Sequence, residues 1–223
     1  MILKAETLVR SISRKVEFTP TLSRIRMLWH NTDYEDKFAA ALLGSVRTND
    51  CVWDVGANVG FYTEKLSKLA RFVVAFEPIS NNFQQIKARH LPNVNSQRLA
   101  LGDTQTQLSM SKNAQYSSIV ASPYIPGDTM REMVTLVPGD SLTDLPKPNV
   151  VKIDVEGYEP EVIRGMPNVL RSVRAAFVEV HFAILENRGL LQAPSEIVAE
   201  LKSLGFTMIK WVDASHIMAL RVH

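Results

Sequence analysis

Residues 51–62 read Cys-Val-Trp-Asp-Val-Gly-Ala-Asn-Val-Gly-Phe-Tyr, an apolar run of strand length that stops at one glycine and passes a second four residues on. A short buried strand that ends in a glycine loop and leads into a helix is the opening unit of a βαβ fold. Glycines at such a turn let the backbone approach a ligand, and the helix that follows offers free N–H groups to an anion. The anion is either a pyrophosphate or an amino-acid carboxylate.

The rest of the chain keeps the same alternation. Arg71–Phe76 is a β-branched and aromatic strand stopped by Glu77-Pro78, and Ser80–His90 is helical with Ser80 or Asn81 as its cap. A third strand is expected over Val94–Leu101, and short strands over 107–111 and 133–137. Val150–Val155 and Ala175–Val180 read as buried strands, separated by a helix over Glu161–Arg171. A helix over Pro194–Leu204 precedes Phe206–Val212 and Ile217–Val222, expected to be an antiparallel pair. The class is α/β: a doubly wound, mostly parallel seven-stranded sheet with a C-terminal antiparallel strand. Residues 1–49 instead show helical periodicity, over 5–17 and from Asp33 to about Leu43. They read as an N-terminal helical appendage to a Rossmann-like domain over 50–223, and a chain starting at Thr48 is expected to fold.

Two carboxylates refine the ligand. The dinucleotide fingerprint requires G-x-G-x-x-G, but here position 58 is Asn and position 61 is Phe. Asp54 lies two residues before Gly56, where it would repel a pyrophosphate but suit the ammonium of a zwitterionic amino acid. S-adenosylmethionine has such an end. Glu77 stands 77 − 56 = 21 residues past Gly56, where a carboxylate accepts hydrogen bonds from ribose hydroxyls.

Asp54-Val-Gly-Ala-Asn-Val-Gly60, Phe76-Glu77-Pro78 and Val151-Lys-Ile-Asp-Val-Glu-Gly-Tyr-Glu159 together resemble the FkbM-type methyltransferases, of the S-adenosylmethionine-dependent, Rossmann-like class. Val178-Glu-Val-His181 and Asp140-Ser-Leu142 fit that pattern, and the likeness spans about residues 50–182. Asn113-Ala-Gln-Tyr-Ser-Ser118 departs from it, lacking a glycine often seen there. The resemblance implies S-adenosylmethionine as cofactor, held by Asp54, Gly56, Asn58, Gly60, Phe61, Tyr62, Glu77, Pro78, Leu101, Asp103 and Asp154. It also implies O-methylation of a small-molecule or sugar hydroxyl.

A second cluster bears on chemistry. Asp154 with Glu156, and Glu179 with His181, each share a strand face at the C-terminal end of a strand, where open α/β sheets bind ligands. Three readings stay open. Asp154 or a neutral His181 takes a proton from the acceptor, the group holds a divalent metal, or it only orients the cofactor. The expected catalytic pair is Asp154 and His181, with no resident metal.

Charge narrows the partners. Lys plus Arg number 25 against 23 Asp plus Glu, a net +2 that does not suit a nucleic-acid binder. Residues 1–30 hold six basic residues and two acids, a net +4, so the remainder is −2. Residues 5–17 are therefore either a basic helix with weak affinity for a membrane surface or a packed accessory helix. No apolar run approaches the ~18 residues of a membrane span or forms the core of a secretion signal, and the single cysteine, Cys51, allows no internal disulfide. A cytoplasmic location is expected, with homo-oligomerisation open. The alternatives are an NAD(P)-dependent oxidoreductase and a non-catalytic protein that retains the fold.

Overall fold

The computed structural model describes residues 33–111 and 131–222. The helix expected over 5–17 and the loop 113–118 lie outside the described residues. The first described element is α1 (Asp33–Ser45), followed by β1 (Cys51–Val55), α2 (Phe61–Ser67), β2 (Phe72–Phe76), α3 (Ser80–Ala88) and β3 (Val94–Gln97). Next come β4 (Ala100–Gly102), β5 (Thr106–Ser111), β6 (Arg131–Pro138) and a 3₁₀ turn over Gly139–Ser141. The second half holds β7 (Val150–Ile153), α4 (Glu159–Arg164), α5 (Pro167–Ser172), β8 (Ala175–Glu179), α6 (Phe182–Asn187), α7 (Ala193–Ser203), β9 (Met208–Trp211) and β10 (His216–Leu220).

Seven strands form one sheet in the order β3-β2-β1-β7-β8-β10-β9. All neighbouring pairs from β3 to β8 are parallel, and β10 runs antiparallel to both β8 and β9. This is the expected architecture. β1, β7 and most of β8 are buried along their length, because helices cover both faces of the sheet. One core layer joins Trp53, Phe76, Ile153, Ile163 and Met166, and the opposite layer joins Phe38, Leu42, Val52, Leu66 and Phe177. Trp53 Nε1 donates to the Pro146 carbonyl at 2.9 Å, so even the indole nitrogen of this fully buried residue is satisfied. Cys51 is packed among the core residues, and burial pushes its thiol up to about 11.

Three boundaries differ from the sequence reading. The compact unit begins at Phe38, upstream of the expected start at residue 50. Phe38 and Leu42 of α1 are fully buried, Phe38 stacking on His216 with ring centroids 4.0 Å apart. The expected strand 94–101 is two strands: β3 ends at Gln97, and β4 joins a separate three-stranded sheet of order β4-β6-β5. Burial of Ala100 and Leu101 favours that departure from the edge of the main sheet. The single helix expected over Glu161–Arg171 is two, because Pro167 lacks an N–H and starts a new turn, whose Asn168 and Val169 amides donate to the Asp140 carboxylate. Helix α6 is an addition to the expected elements and begins directly after its N-cap residue His181.

Candidate active site

The C-terminal ends of β1, β2 and β7 open onto one cleft. It is lined by Gly56, Asn58, Glu77, Pro78 and Leu101 together with Asp154, Glu156 and Tyr158. Asp54, Gly60, Phe61, Tyr62, Asp103 and His181, all expected at the site, do not line this cleft.

The glycine loop is fixed by its own backbone. Gly56 has φ +80°, and a Cβ on it would lie 1.7 Å from the Asp154 carbonyl, so only glycine lets the loop cross the end of β7. The Gly56 and Ala57 amides both donate to the Phe76 carbonyl at 3.0 Å, and the Asn58 amide donates to Glu77 Oε2 at 2.9 Å. These three N–H groups are therefore already engaged, which disfavours a pyrophosphate in the loop. The nicotinamide-dinucleotide alternative loses its main support here.

Glu77 follows β2 and is almost fully enclosed. Its second oxygen accepts the Ile79 amide at 2.8 Å. Burial pushes the carboxyl up to about 7, against the pull of those two amides. The group sits on the cleft wall, where a ribose diol would donate to it. Of the other expected cofactor contacts, Phe61 is half-exposed on α2, with Lys65 Nζ 3.9 Å above its ring. Tyr62 turns into the core against Phe38, and Asp103 pairs with Arg164 at 3.0 Å.

Asp54 needs a correction. It is fully buried, and its carboxylate is taken by Thr63 Oγ1 at 2.7 Å and Lys152 Nζ at 3.1 Å. An internal ammonium thus stands where the cofactor's was expected. Lys152 was not singled out from the sequence. Burial alone would favour its neutral amine, but Asp54 and Asp154 outweigh that and hold the charge well above the ordinary lysine range.

The four cluster residues do converge, though not by strand alternation. β7 ends at Ile153, and Glu156 turns back in a left-handed conformation with φ +54°. Gly157 follows at φ +89°, where a Cβ would meet Ile184 at 2.4 Å. His181 Nε2 lies 3.2 Å from Glu156, 3.8 Å from Asp154 and 3.9 Å from Glu179, while its Nδ1 is 2.8 Å from Glu159. Glu159, also unforeseen, is fully buried and accepts the Gly157 amide as well. The neutral imidazole expected at position 181 does not fit these surroundings. Burial opposes its charge, but Glu159 and the other carboxylates hold the ring protonated well above the usual histidine range. While protonated the ring is neither a base nor a metal ligand; without that proton, Asp154, Glu156 and His181 present ligand atoms within 4.8 Å of one another, close enough to share a metal ion. Burial pushes Glu156 up to about 7 and also raises Asp154, with Lys152 pulling Asp154 the other way. Glu179 falls to about 2: the His216 and His181 charges beside it outweigh its burial.

The profile of the methyltransferase FkbM domain matches residues 54–208. The chain belongs to the FkbM methyltransferase family. It is 31% identical over 175 residues to the hexuronic acid methyltransferase AglP of Haloferax volcanii, covering 74% of this chain and 70% of that protein. The fold matches a crystal structure of methyltransferase FkbM from Methylobacillus flagellatus, with a TM-score of 0.56 and 14% identity over 82% of this chain. This FkbM chain spans about half of that structure, 48% of its length. SMU.1697c of Streptococcus mutans, solved in complex with SAH, gives a TM-score of 0.57 at 12% identity, covering 86% of this chain and 99% of that one. The family match begins at Asp54 and takes in Glu77, Asp154 and His181. Among the described residues, no helix is long and apolar enough to cross a membrane.

Proposed function

We propose that this chain is an S-adenosylmethionine-dependent O-methyltransferase whose acceptor is a carbohydrate hydroxyl. The observation that carries the reading is the shared cleft, which the glycine loop and Glu77 line together with Asp154 and Glu156. Relatives supply the substrate class, since a hexuronic acid methyltransferase covers most of the chain's length.

The residues present suit the cofactor. Glu77 is a buried carboxylate on the cleft wall suited to accept from the ribose, and Gly56 leaves the close approach that a side chain would fill. Leu101 and Pro78 offer apolar surface for the adenine. When bound, the cofactor supplies an electrophilic methyl group on sulfur. This chain's part is alignment and proton management. A hydroxyl acceptor must lose a proton, and Asp154 and Glu156 are carboxylates whose burial makes them stronger bases than in water. His181 cannot take that proton while ionised. Its role is to hold Asp154, Glu156 and Glu159 together around one positive charge.

The test is calorimetric titration with S-adenosylhomocysteine, then transfer of labelled methyl from S-adenosylmethionine to a panel of hexoses and hexuronic acids. Binding with label in an alkali-stable methyl ether is the expected result. Label lost as methanol on mild alkali would show a methyl ester and move the acceptor to a carboxylate. Absence of S-adenosylhomocysteine binding removes the reading altogether.

A further inference from the structure

The buried ammonium of Lys152 lies between the cofactor loop and the acceptor side of the cleft. Its Nζ donates to Asp54 Oδ1 at 3.1 Å and to the Gly56 carbonyl at 3.3 Å, and it pairs with Asp154 Oδ2 at 3.3 Å. The Lys152 side chain is 2% exposed, that of Asp54 0% and that of Asp154 25%. Asp54 is thus an internal anchor, and Asp154 is the partner that meets the cleft. The two oxygens of Asp154 face different cations: Oδ2 faces Lys152, and Oδ1 lies 3.8 Å from His181 Nε2.

We propose that Lys152 is a positioning residue that locks the glycine loop to Asp154, so that cofactor seat and proton-handling carboxylate are set by one buried charge. A surface ion pair would not serve, because both side chains would sample many rotamers. Here the ammonium is enclosed, and each of its three contacts fixes the other two. Tyr62, whose ring lies 5.3 Å from Nζ, closes the remaining side. The role assigned to Asp154 rests on the function proposed above; the link from Lys152 to Asp154 does not.

Several charged groups set the ionisation of Asp154. Lys152 comes from its own strand and Asp54 from β1, with Glu156 on the following loop and Glu159 on α4. Glu179 and His181 come from the end of β8, and His216 on β10 reaches the cluster through Glu179 at 3.2 Å. Among the described residues, the cations within 4 Å of Asp154 are Lys152 and His181.

The experiment compares the wild-type chain with Lys152→Met, and with Lys152→Met combined with Asp54→Asn. The double variant removes the enclosed charge pair together and so spares the fold an unpaired carboxylate. Carboxyl-¹³C aspartate NMR, with the Asp154 signal assigned by Asp154→Asn, needs neither cofactor nor acceptor. Its midpoint is expected to move to higher pH by about 1–3 pH units in the variants. The dissociation constant for S-adenosylhomocysteine is expected to rise about tenfold, as a loop hydrogen bond of ordinary strength is lost. On the wild type, where folding is not at issue, the ¹⁵Nζ signal of Lys152 is expected to titrate with the Asp154 midpoint. An Asp154 midpoint that stays put, unchanged affinity in a folded variant, or an Nζ signal blind to the Asp154 titration overturns the proposal. A wild-type chain that binds no S-adenosylhomocysteine overturns the proposed function instead, and leaves the titration as the test of Lys152.

Discussion

Cofactor affinity should depend on pH through Glu77, and the structure sets the size of the effect. Burial pushes the carboxyl up to about 7, while ribose hydroxyls donate best to the ionised form. With a midpoint of about 7, only about one-tenth of the groups are ionised at pH 6. Binding must then expel a proton, so affinity for S-adenosylhomocysteine should be about tenfold weaker at pH 6 than at pH 8. Glu156, which lines the same cleft, also rises to about 7, so the pH profile alone does not isolate Glu77. Glu77→Gln does. It exchanges two charge-assisted hydrogen bonds for weaker neutral ones, a loss of about 2–3 kcal/mol, or roughly 30- to 150-fold in affinity. It also removes the ionisation, so the residual affinity should be flat between pH 6 and 8. Calorimetry at three pH values, with circular dichroism confirming the fold, makes the comparison. Unchanged affinity at pH 8 would take Glu77 away from the ribose. An unchanged slope would assign the proton to another group, with Glu156→Gln the next variant to try.

Three further outcomes are expected. A chain beginning at Thr48 loses Phe38 and Leu42, both fully buried; their removal costs about 5–10 kcal/mol against a typical domain stability of about 5–15, so circular dichroism should show an unfolded fragment. A chain beginning at Asp33 should fold, and a stable Thr48 fragment would refute the weight given to α1. His216 rises to about 9: burial opposes its charge, but Asp213 and Glu179 outweigh it. Because the folded value lies above the unfolded one, that stabilisation is complete below pH ~6.5 and lost as pH rises through about 9, a change of about 3 kcal/mol. Urea unfolding across that window should show the decline in the wild type and a flatter profile in His216→Gln. Gly56→Ala puts a methyl group 1.7 Å from the Asp154 carbonyl and requires an alanine at φ +80°, so S-adenosylhomocysteine binding should vanish even if far-UV circular dichroism survives.

Local chemistry made the framework legible in the sequence. The strand-glycine-helix unit at 51–62, the carboxylate 21 residues on, and apolar runs of strand length each encode a local backbone preference. Such preferences survive into the fold because the parallel sheet needs buried strands and glycine is the residue that allows φ +80° at Gly56. Gly56, Asn58, Glu77 and Asp154 reached the cleft as expected for the same reason: each lies at or just beyond the end of a strand. Partnerships across strands were decided only in three dimensions. No spacing shows that Lys152, 98 residues from Asp54, would take its carboxylate and displace the expected ligand ammonium. Nor does any pattern show that Glu159 would reach back to His181 and help keep it charged. A motif states which groups are near the end of a strand. Whether such a group is a base, a ligand or an internal counter-ion depends on burial and on the charges brought in by β1, α4, β8 and β10, and those are properties of the packed sheet.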